Sequence, residues 1–303
     1  MTPIAIRVRI APAQPDVIAR AVTAAGAVVV ADIEPADLVV WTSSRPAGID
    51  DQLTPSVRWV QLPAAGVESW VRSGRTSDGR VWMSAAGVYA DHVAEHAVAG
   101  LLAAVHRLIQ HAHQDRWSPI GYRPLTQRTV AVVGGGGIGT AAMHRLVTLG
   151  ATVLAVTRTG QPVEAAHETV ATAHAREVWR RVDDIVLAVP ATPATRHFVD
   201  EAALRALPTD GCVVNVGRGE AIDTAALLRV LDDGHLGGAV LDVTDPEPLP
   251  VDHPLWTHHR VIVSSHSANP TSLRWPALAR RVAENLTRIA AGAQPTGVIE
   301  DGY

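Results

Sequence analysis

Short apolar runs alternate with polar, helix-compatible stretches from the start of the chain. Residues 4–10, 27–30, 38–41, 58–62 and 81–83 read as strands, and residues 16–25 as a helix between the first two. That rhythm predicts a parallel α/β sheet. Residues 91–114 lack Pro, contain a single Gly (Gly100) and are rich in Ala and Leu, which predicts one long helix able to act as a spar between domains. A connection bearing Ser118, Pro119, Gly121 and Pro124 follows. A second series then begins, with strands over 129–133, 152–156, 184–189, 212–216, 238–243 and 261–264 and helices over 141–149, 201–207 and 224–233. Right-handed crossovers through those helices give a doubly wound sheet. A last helix over 272–290 is expected to return to the first domain.

Composition sets the frame for these elements. A length of 303 residues suits two domains, at about 150 residues each. With 47% hydrophobic and 18% charged residues the chain is expected to fold throughout. Net charge is −4, and all 26 basic residues are Arg with no basic stripe, so nucleic acid is not an expected partner. Cys212, the only cysteine, lies in a Val-rich run and reads as a small core residue in a reducing compartment. The apolar stretch 93–109 is interrupted by Glu95, His96, His106 and Arg107, so it predicts a buried helix and no membrane partner. Residues 1–10 carry Arg7 and Arg9 within an alternating pattern, unlike a secretion signal, and a cytoplasmic location is expected.

The second series opens on Val130-Ala-Val-Val-Gly134-Gly-Gly136-Gly137-Ile138-Gly139, a G-x-G-x-x-G turn placed between a strand and a helix. The first glycine permits the tight turn, the second lets a pyrophosphate approach the backbone, and the third allows close packing of the helix. An acidic residue that would hold the adenosine ribose is expected about 20 residues on. The sequence there is Thr157-Arg158-Thr159 instead. Two hydroxyls and a guanidinium, with no carboxylate to repel a 2′-phosphate, favour NADP over NAD.

Three polar residues fall at the ends of later strands: Arg218 in Asn215-Val216-Gly217-Arg218-Gly219, Glu247 in Asp242-Val-Thr-Asp-Pro-Glu247-Pro, and His266 in Ser264-Ser-His266-Ser267-Ala268. Ligands bind at that edge of such sheets. A planar, permanently charged guanidinium suits a carboxylate, and an imidazole suits proton transfer near neutral pH. With Ala65-Gly66-Val67, Val93-Ala-Glu95-His96 and Val189-Pro190-Ala-Thr-Pro-Ala-Thr195, these segments resemble the D-isomer-specific 2-hydroxyacid dehydrogenase family over nearly the whole chain. In character the chain is similar to the family's NADPH-using glyoxylate and hydroxypyruvate reductases.

The resemblance implies an α/β protein of two doubly wound domains, a Rossmann dinucleotide-binding domain (93–268) inserted into a flavodoxin-like substrate domain (1–92 and 269–303). It implies Arg218, Glu247 and His266 as the catalytic residues: Arg218 clamps the substrate carboxylate, His266 exchanges the proton, and Glu247 fixes the imidazole tautomer and favours its protonated form. The substrate is a small 2-oxo acid or its D-2-hydroxy acid. Its carboxylate would also meet the backbone amides of Ala65, Gly66 and Val67. Cofactor contacts are implied for Gly134, Gly136, Gly137, Ile138 and Gly139, and for Thr157, Arg158 and Thr159. Further contacts are implied for Val189, Pro190, Thr195, Val216, Gly217, Asp242, His266 and Ser267. A homodimer is expected, with Trp117 on a loop that relatives can bring near a second subunit's site. No histidine or acidic cluster has metal-ligand spacing. Two other readings stay open: a non-catalytic dinucleotide-sensing module of corepressor type, and another enzyme class on the same sheet, such as a methyltransferase. The Arg, Glu, His order favours the dehydrogenase over both.

Overall fold

The computed structural model describes residues 5–32 and 34–299. They fall into two compact units, one made of the chain up to Tyr89 with the segment from Pro270 onward, the other Ala90–Asn269. The divides lie at 89/90 and 269/270, against the expected 92/93 and 268/269.

In the first unit the elements are β1 (Arg7–Ala11), α1 (Asp16–Ala24), β2 (Val28–Val29), β3 (Leu38–Trp41), β4 (Trp59–Gln61), α2 (Glu68–Arg72) and β5 (Val81–Met83). Ile4, expected at the start of the first strand, lies outside the described residues. The sheet is parallel throughout, in the order β2-β1-β3-β4-β5, which is the flavodoxin-like doubly wound order. Every residue of β3 is buried, as expected of a strand covered on both faces. Trp41, Trp70 and Trp82 fill one side of the core, with the Trp70 and Trp82 rings 5.9 Å apart.

The second unit begins with α3 (Ala90–Val105) and α4 (Leu108–Ala112), followed by β6 (Thr129–Val133), α5 (Gly137–Thr148), β7 (Thr152–Thr157), β8 (Glu168–Ala171) and α6 (Ala175–Val178). It continues through β9 (Asp184–Leu187), α7 (Glu201–Ala206), β10 (Cys212–Asn215), α8 (Thr224–Asp232), β11 (Gly238–Leu241) and β12 (Val261–Val263). Its parallel sheet has the order β12-β11-β10-β9-β6-β7-β8. This is the Rossmann order, which reverses direction between β6 and β9. Asp200 and Asp223 cap α7 and α8 by accepting from the amides of Ala203 and Ala226. The chain returns to the first unit in α9 (Thr271–Ala290), which lies along α1. There Asn285 donates to Gln61 of β4 at 3.0 Å and joins the following turn to the sheet through Thr296.

Two local expectations need correction. The single helix over 91–114 is two helices, because Arg107 adopts the left-handed conformation (φ 58) and interrupts the helix between α3 and α4. Its guanidinium and the Gln110 amide both donate to the Gly237 carbonyl, so a contact from a distant loop breaks the helix without any Gly or Pro. Strand β8 was not expected, since as an edge strand it is only partly buried and lacks an apolar run. Gly100, the glycine within α3, has a positional reason: a Cβ there would meet Val240 of β11 at 2.8 Å. The helix therefore lies unusually close to the sheet.

The N-terminal ends of the second sheet's strands are locked by charge. Arg128 grips Asp184 through Nε and Nη2, both at 2.7 Å, and reaches Asp210 at 2.9 Å. Arg123 bonds Asp183 at 2.6 Å and Asp210 at 2.9 Å. Burial opposes the charge on Arg128, but the hydrogen bond and charge of Asp184 outweigh it and raise its pKa. Burial also pushes the nearby Cys212 thiol up, leaving it inert. Among the described residues no helix is long and apolar enough to cross a membrane.

Candidate active site

The opposite edge of the second sheet collects the sequence-predicted groups. Gly134, at the end of β6, has φ +111, and a Cβ on it would strike the Ala188 carbonyl at 2.5 Å. A Cβ on Gly139 would lie 1.9 Å from the Gly134 carbonyl, so α5 packs against its own turn and only glycine fits. Gly136 differs, with no protein atom within 4 Å of the Cβ position. Helix α5 starts at Gly137, four residues before its expected start, and carries neither a side-chain cap nor an acidic residue in its first turn. The amides at that end, including Ile138, favour an anion. The open approach at Gly136 and the uncapped helix fit a dinucleotide pyrophosphate.

The neighbouring loops are fixed by close contacts. The amide of Gly134 bonds Val156 of β7, and Thr157 closes the turn that follows by accepting from Gly160 N at 3.1 Å. Arg158 and Thr159 lie within that turn. After β9, Val189 is buried, and a Cβ on Gly217 would strike its carbonyl at 2.6 Å, which presses the loop after β10 onto the loop after β9. Thr195 is occupied within its own loop: its hydroxyl lies 2.7 Å from the Pro190 carbonyl and accepts from Thr192 N at 2.8 Å.

Beyond β10, buried Asn215 shapes the Arg218 loop by donating to the Arg218 carbonyl at 2.9 Å and accepting from Gly217 N at 3.0 Å. Val216 is buried in the same loop. A Cβ on Gly219 would overlap the Thr244 carbonyl group at 2.0 Å, so the loops after β10 and β11 cross in contact. Arg218 and the Glu247 segment are thereby brought to adjoining positions.

Glu247 and His266 meet directly, with Oε1 2.7 Å from Nδ1. Both side chains are about half exposed, at 43% and 53%. With Nδ1–H donating to the carboxylate, Nε2 is the ring nitrogen that this bond leaves available. The His266 backbone is strained: Ser265 and His266 are consecutive non-glycine residues with φ 52 and 54. Each such residue costs about 1 kcal/mol or more.

Asp242, buried at the end of β11, holds that conformation. Its backbone carbonyl accepts from His266 N at 2.6 Å. Its Oδ1 accepts from Ser267 N at 2.8 Å, from Ala268 N at 3.2 Å and from the Ser264 hydroxyl at 2.7 Å. Ser264 is in turn 2.9 Å from His96 Nε2 on α3. Sequence reading did not single out Ser264 or assign His96 a role, and partners 168 residues apart leave no local signal.

Ala65, Gly66 and Val67 belong to the first unit, between β4 and α2. The loop is braced by Tyr89, whose hydroxyl donates to the Pro63 carbonyl at 2.6 Å, and by Ala85 N, which donates to the Ala64 carbonyl at 2.8 Å. Burial raises the Tyr89 pKa to about 12, so it remains a donor. Among the described residues no group of three or more His, Cys, Asp or Glu is placed to hold a metal ion.

Residues 96–268 match the family model described as D-isomer specific 2-hydroxyacid dehydrogenase, NAD binding domain. An uncharacterized protein of Corynebacterium melassecola is 37% identical, over 88% of both chains. A glyoxylate reductase of Thermococcus kodakarensis is 31% identical over 86% of this chain and 82% of its own. Among solved structures, the NADPH-dependent glyoxylate/hydroxypyruvate reductase of Sinorhizobium meliloti, in complex with NADP and sulfate, superposes with a TM-score of 0.81 at 25% identity, covering 97% of this chain and 98% of that one. A match across more than half of the sequence, joined by relatives above 30% identity along most of both lengths, means that the chain belongs to the D-isomer specific 2-hydroxyacid dehydrogenase family and is an NAD(P)-dependent oxidoreductase.

Proposed function

We propose that this enzyme reduces small 2-oxo acids of the glyoxylate and hydroxypyruvate class to their hydroxy acids, with NADPH preferred over NADH. The observation that carries the reading is the His266–Glu247 pair, 2.7 Å apart at the strand ends beside the Arg218 loop. A bound reduced nicotinamide supplies the hydride that the carbonyl carbon receives. His266 Nε2 gives its proton to the carbonyl oxygen, while Glu247 accepts from Nδ1–H and fixes the tautomer and orientation of the ring. Arg218 binds the substrate carboxylate and polarises the adjacent carbonyl, and the amides of Ala65, Gly66 and Val67 form the second carboxylate contact.

The turn Gly134 to Gly139 receives the pyrophosphate. Pro190, Val216 and Gly217 flank the nicotinamide half of the site, with Val189 and Thr195 shaping the loop behind it. Asp242 would lie near the carboxamide, with Ser267 bordering it. Thr157, Arg158 and Thr159 bind the 2′-phosphate, a reading supported by the absence of a carboxylate from the turn after β7 and by the NADP bound to the Sinorhizobium meliloti reductase.

We read the protein as a cytoplasmic homodimer. Support comes from the buried lone cysteine, from Trp117, which is 98% exposed, and from the apolar groove between α3 and α5 lined by Val98, Leu102 and Leu149. Size-exclusion chromatography showing only a 32 kDa species would contradict the dimer. No observation favours the corepressor-type module.

The test is a panel of 2-oxo acids with NADPH and with NADH, followed as loss of reduced-nicotinamide absorbance. Wild type should turn over glyoxylate or hydroxypyruvate, and His266→Ala should lower kcat by about 10²- to 10⁴-fold. A clear NADH preference would overturn the cofactor choice. Absence of turnover with every acid would overturn the reductase.

A further inference from the structure

We propose that His96 is a positioning residue, holding the His266 loop in its reactive shape through Ser264 and Asp242. The proposal rests on the reading above, in which His266 supplies the proton.

The hydrogen bonds have a fixed direction. An ionised carboxylate only accepts, so the hydroxyl hydrogen of Ser264 is committed to Asp242 Oδ1, 2.7 Å away. A serine hydroxyl has one hydrogen, and its remaining capacity is to accept. His96 Nε2, at 2.9 Å, must therefore carry a proton and donate it; with a bare nitrogen two acceptors would face each other. Donation runs from His96 to Ser264 to Asp242. From the other side the same Asp242 oxygen receives the amides of Ser267 and Ala268, directly after the strained His266.

His96 matters because of where it stands. Ser264, Ser267 and Ala268 all belong to the segment being held, so their bonds to Asp242 cannot by themselves fix how that carboxylate is turned. His96 reaches the cluster from a separate rigid element, α3. It lies one helical turn from Gly100, on the same face. Contact between Gly100 and Val240 brings that face down onto β11, so the imidazole reaches past the end of β12 to Ser264. His96 Nε2 is also 3.7 Å from Asp242 Oδ1.

The test compares His96→Leu, His96→Gln and Ser264→Ala with wild type by kinetics and by imidazole ¹⁵N NMR. Loss of alignment in His96→Leu should lower kcat about tenfold or more, with a much smaller change in the KM of the oxo acid. Glutamine keeps an N–H donor of similar reach and should recover most of the rate, with melting temperatures alike. The spectrum should show His96 Nε2 protonated, and the His266 resonance should move in His96→Leu and Ser264→Ala but little in His96→Gln. The proposal is overturned by an unprotonated His96 Nε2, by wild-type kcat with an unmoved His266 resonance in His96→Leu, or by His96→Gln falling as far as His96→Leu. The spectral arm needs no turnover. An inactive wild type whose His266 resonance still follows His96 would reject the reductase reading and keep the positioning role.

Discussion

The two edges of the seven-stranded sheet use the same kinds of charged residue to opposite ends. At the N-terminal edge Arg128 and Asp184 are 1% and 0% exposed and closed on each other in a two-pronged bond. At the C-terminal edge Glu247 and His266 share a single hydrogen bond and remain about half exposed. A buried, saturated pair has no proton or lone pair left for a ligand. A half-exposed pair with one open ring nitrogen does. The fold thus concentrates its electrostatic rigidity beneath the sheet and keeps titratable groups accessible above it.

Substitution at Asp184 should expose this division most strongly. Asp184→Asn leaves the buried Arg128 charge with Asp210 as its remaining carboxylate partner and should cost about 3 kcal/mol or more of unfolding free energy in urea. The folded fraction should keep the wild-type kcat. The complementary change, Glu247→Gln, should lower kcat by about 10²- to 10⁴-fold, because the imidazole loses the carboxylate that fixes its tautomer for proton transfer. Its urea midpoint should stay at the wild-type value. If Glu247→Gln lost stability and kept its rate, the contrast between the edges would be wrong.

The smallest effect is expected in acid, at Asp210. Burial, the largest influence, pushes this carboxyl up, but the Arg123 hydrogen bond and the Arg128 and Arg123 charges together hold it below its ordinary value of 3.8. A carboxyl with a depressed folded-state pKa stabilises fully above its unfolded value and loses that contribution as pH falls through the folded one. Asp210→Asn should therefore lower stability at neutral pH and flatten the decline of Tm below about pH 4, without moving the pH–rate profile. An unchanged acid limb would show that the network's charge carries no weight there.

Much of this architecture was legible because doubly covered strands must be apolar on both faces. β6, β9, β10 and β11 stand out for that reason, and the glycine turn is readable because steric demands at Gly134 and Gly139 admit one residue type. Strand β8 was not legible, since half of its environment is solvent. The break at Arg107 depends on a carbonyl 130 residues away. The same limit governs the site: Arg218, Glu247 and His266 sit in short motifs, whereas the bonds through Ser264 to His96 exist only once α3 lies on β11. Thr195 shows the reverse case, a residue conspicuous in its motif whose hydroxyl is used by its own loop.

Of the three spaced glycines, two answer to the polypeptide and one does not. Gly134 and Gly139 are demanded by neighbouring backbone, so any replacement must disturb folding. Gly136 borders empty space, and the protein alone gives no reason for its side chain to be missing. Tolerance to substitution therefore changes from residue to residue within a single turn, and at Gly136 the proposed capacity to hold a dinucleotide is separable from the capacity to fold.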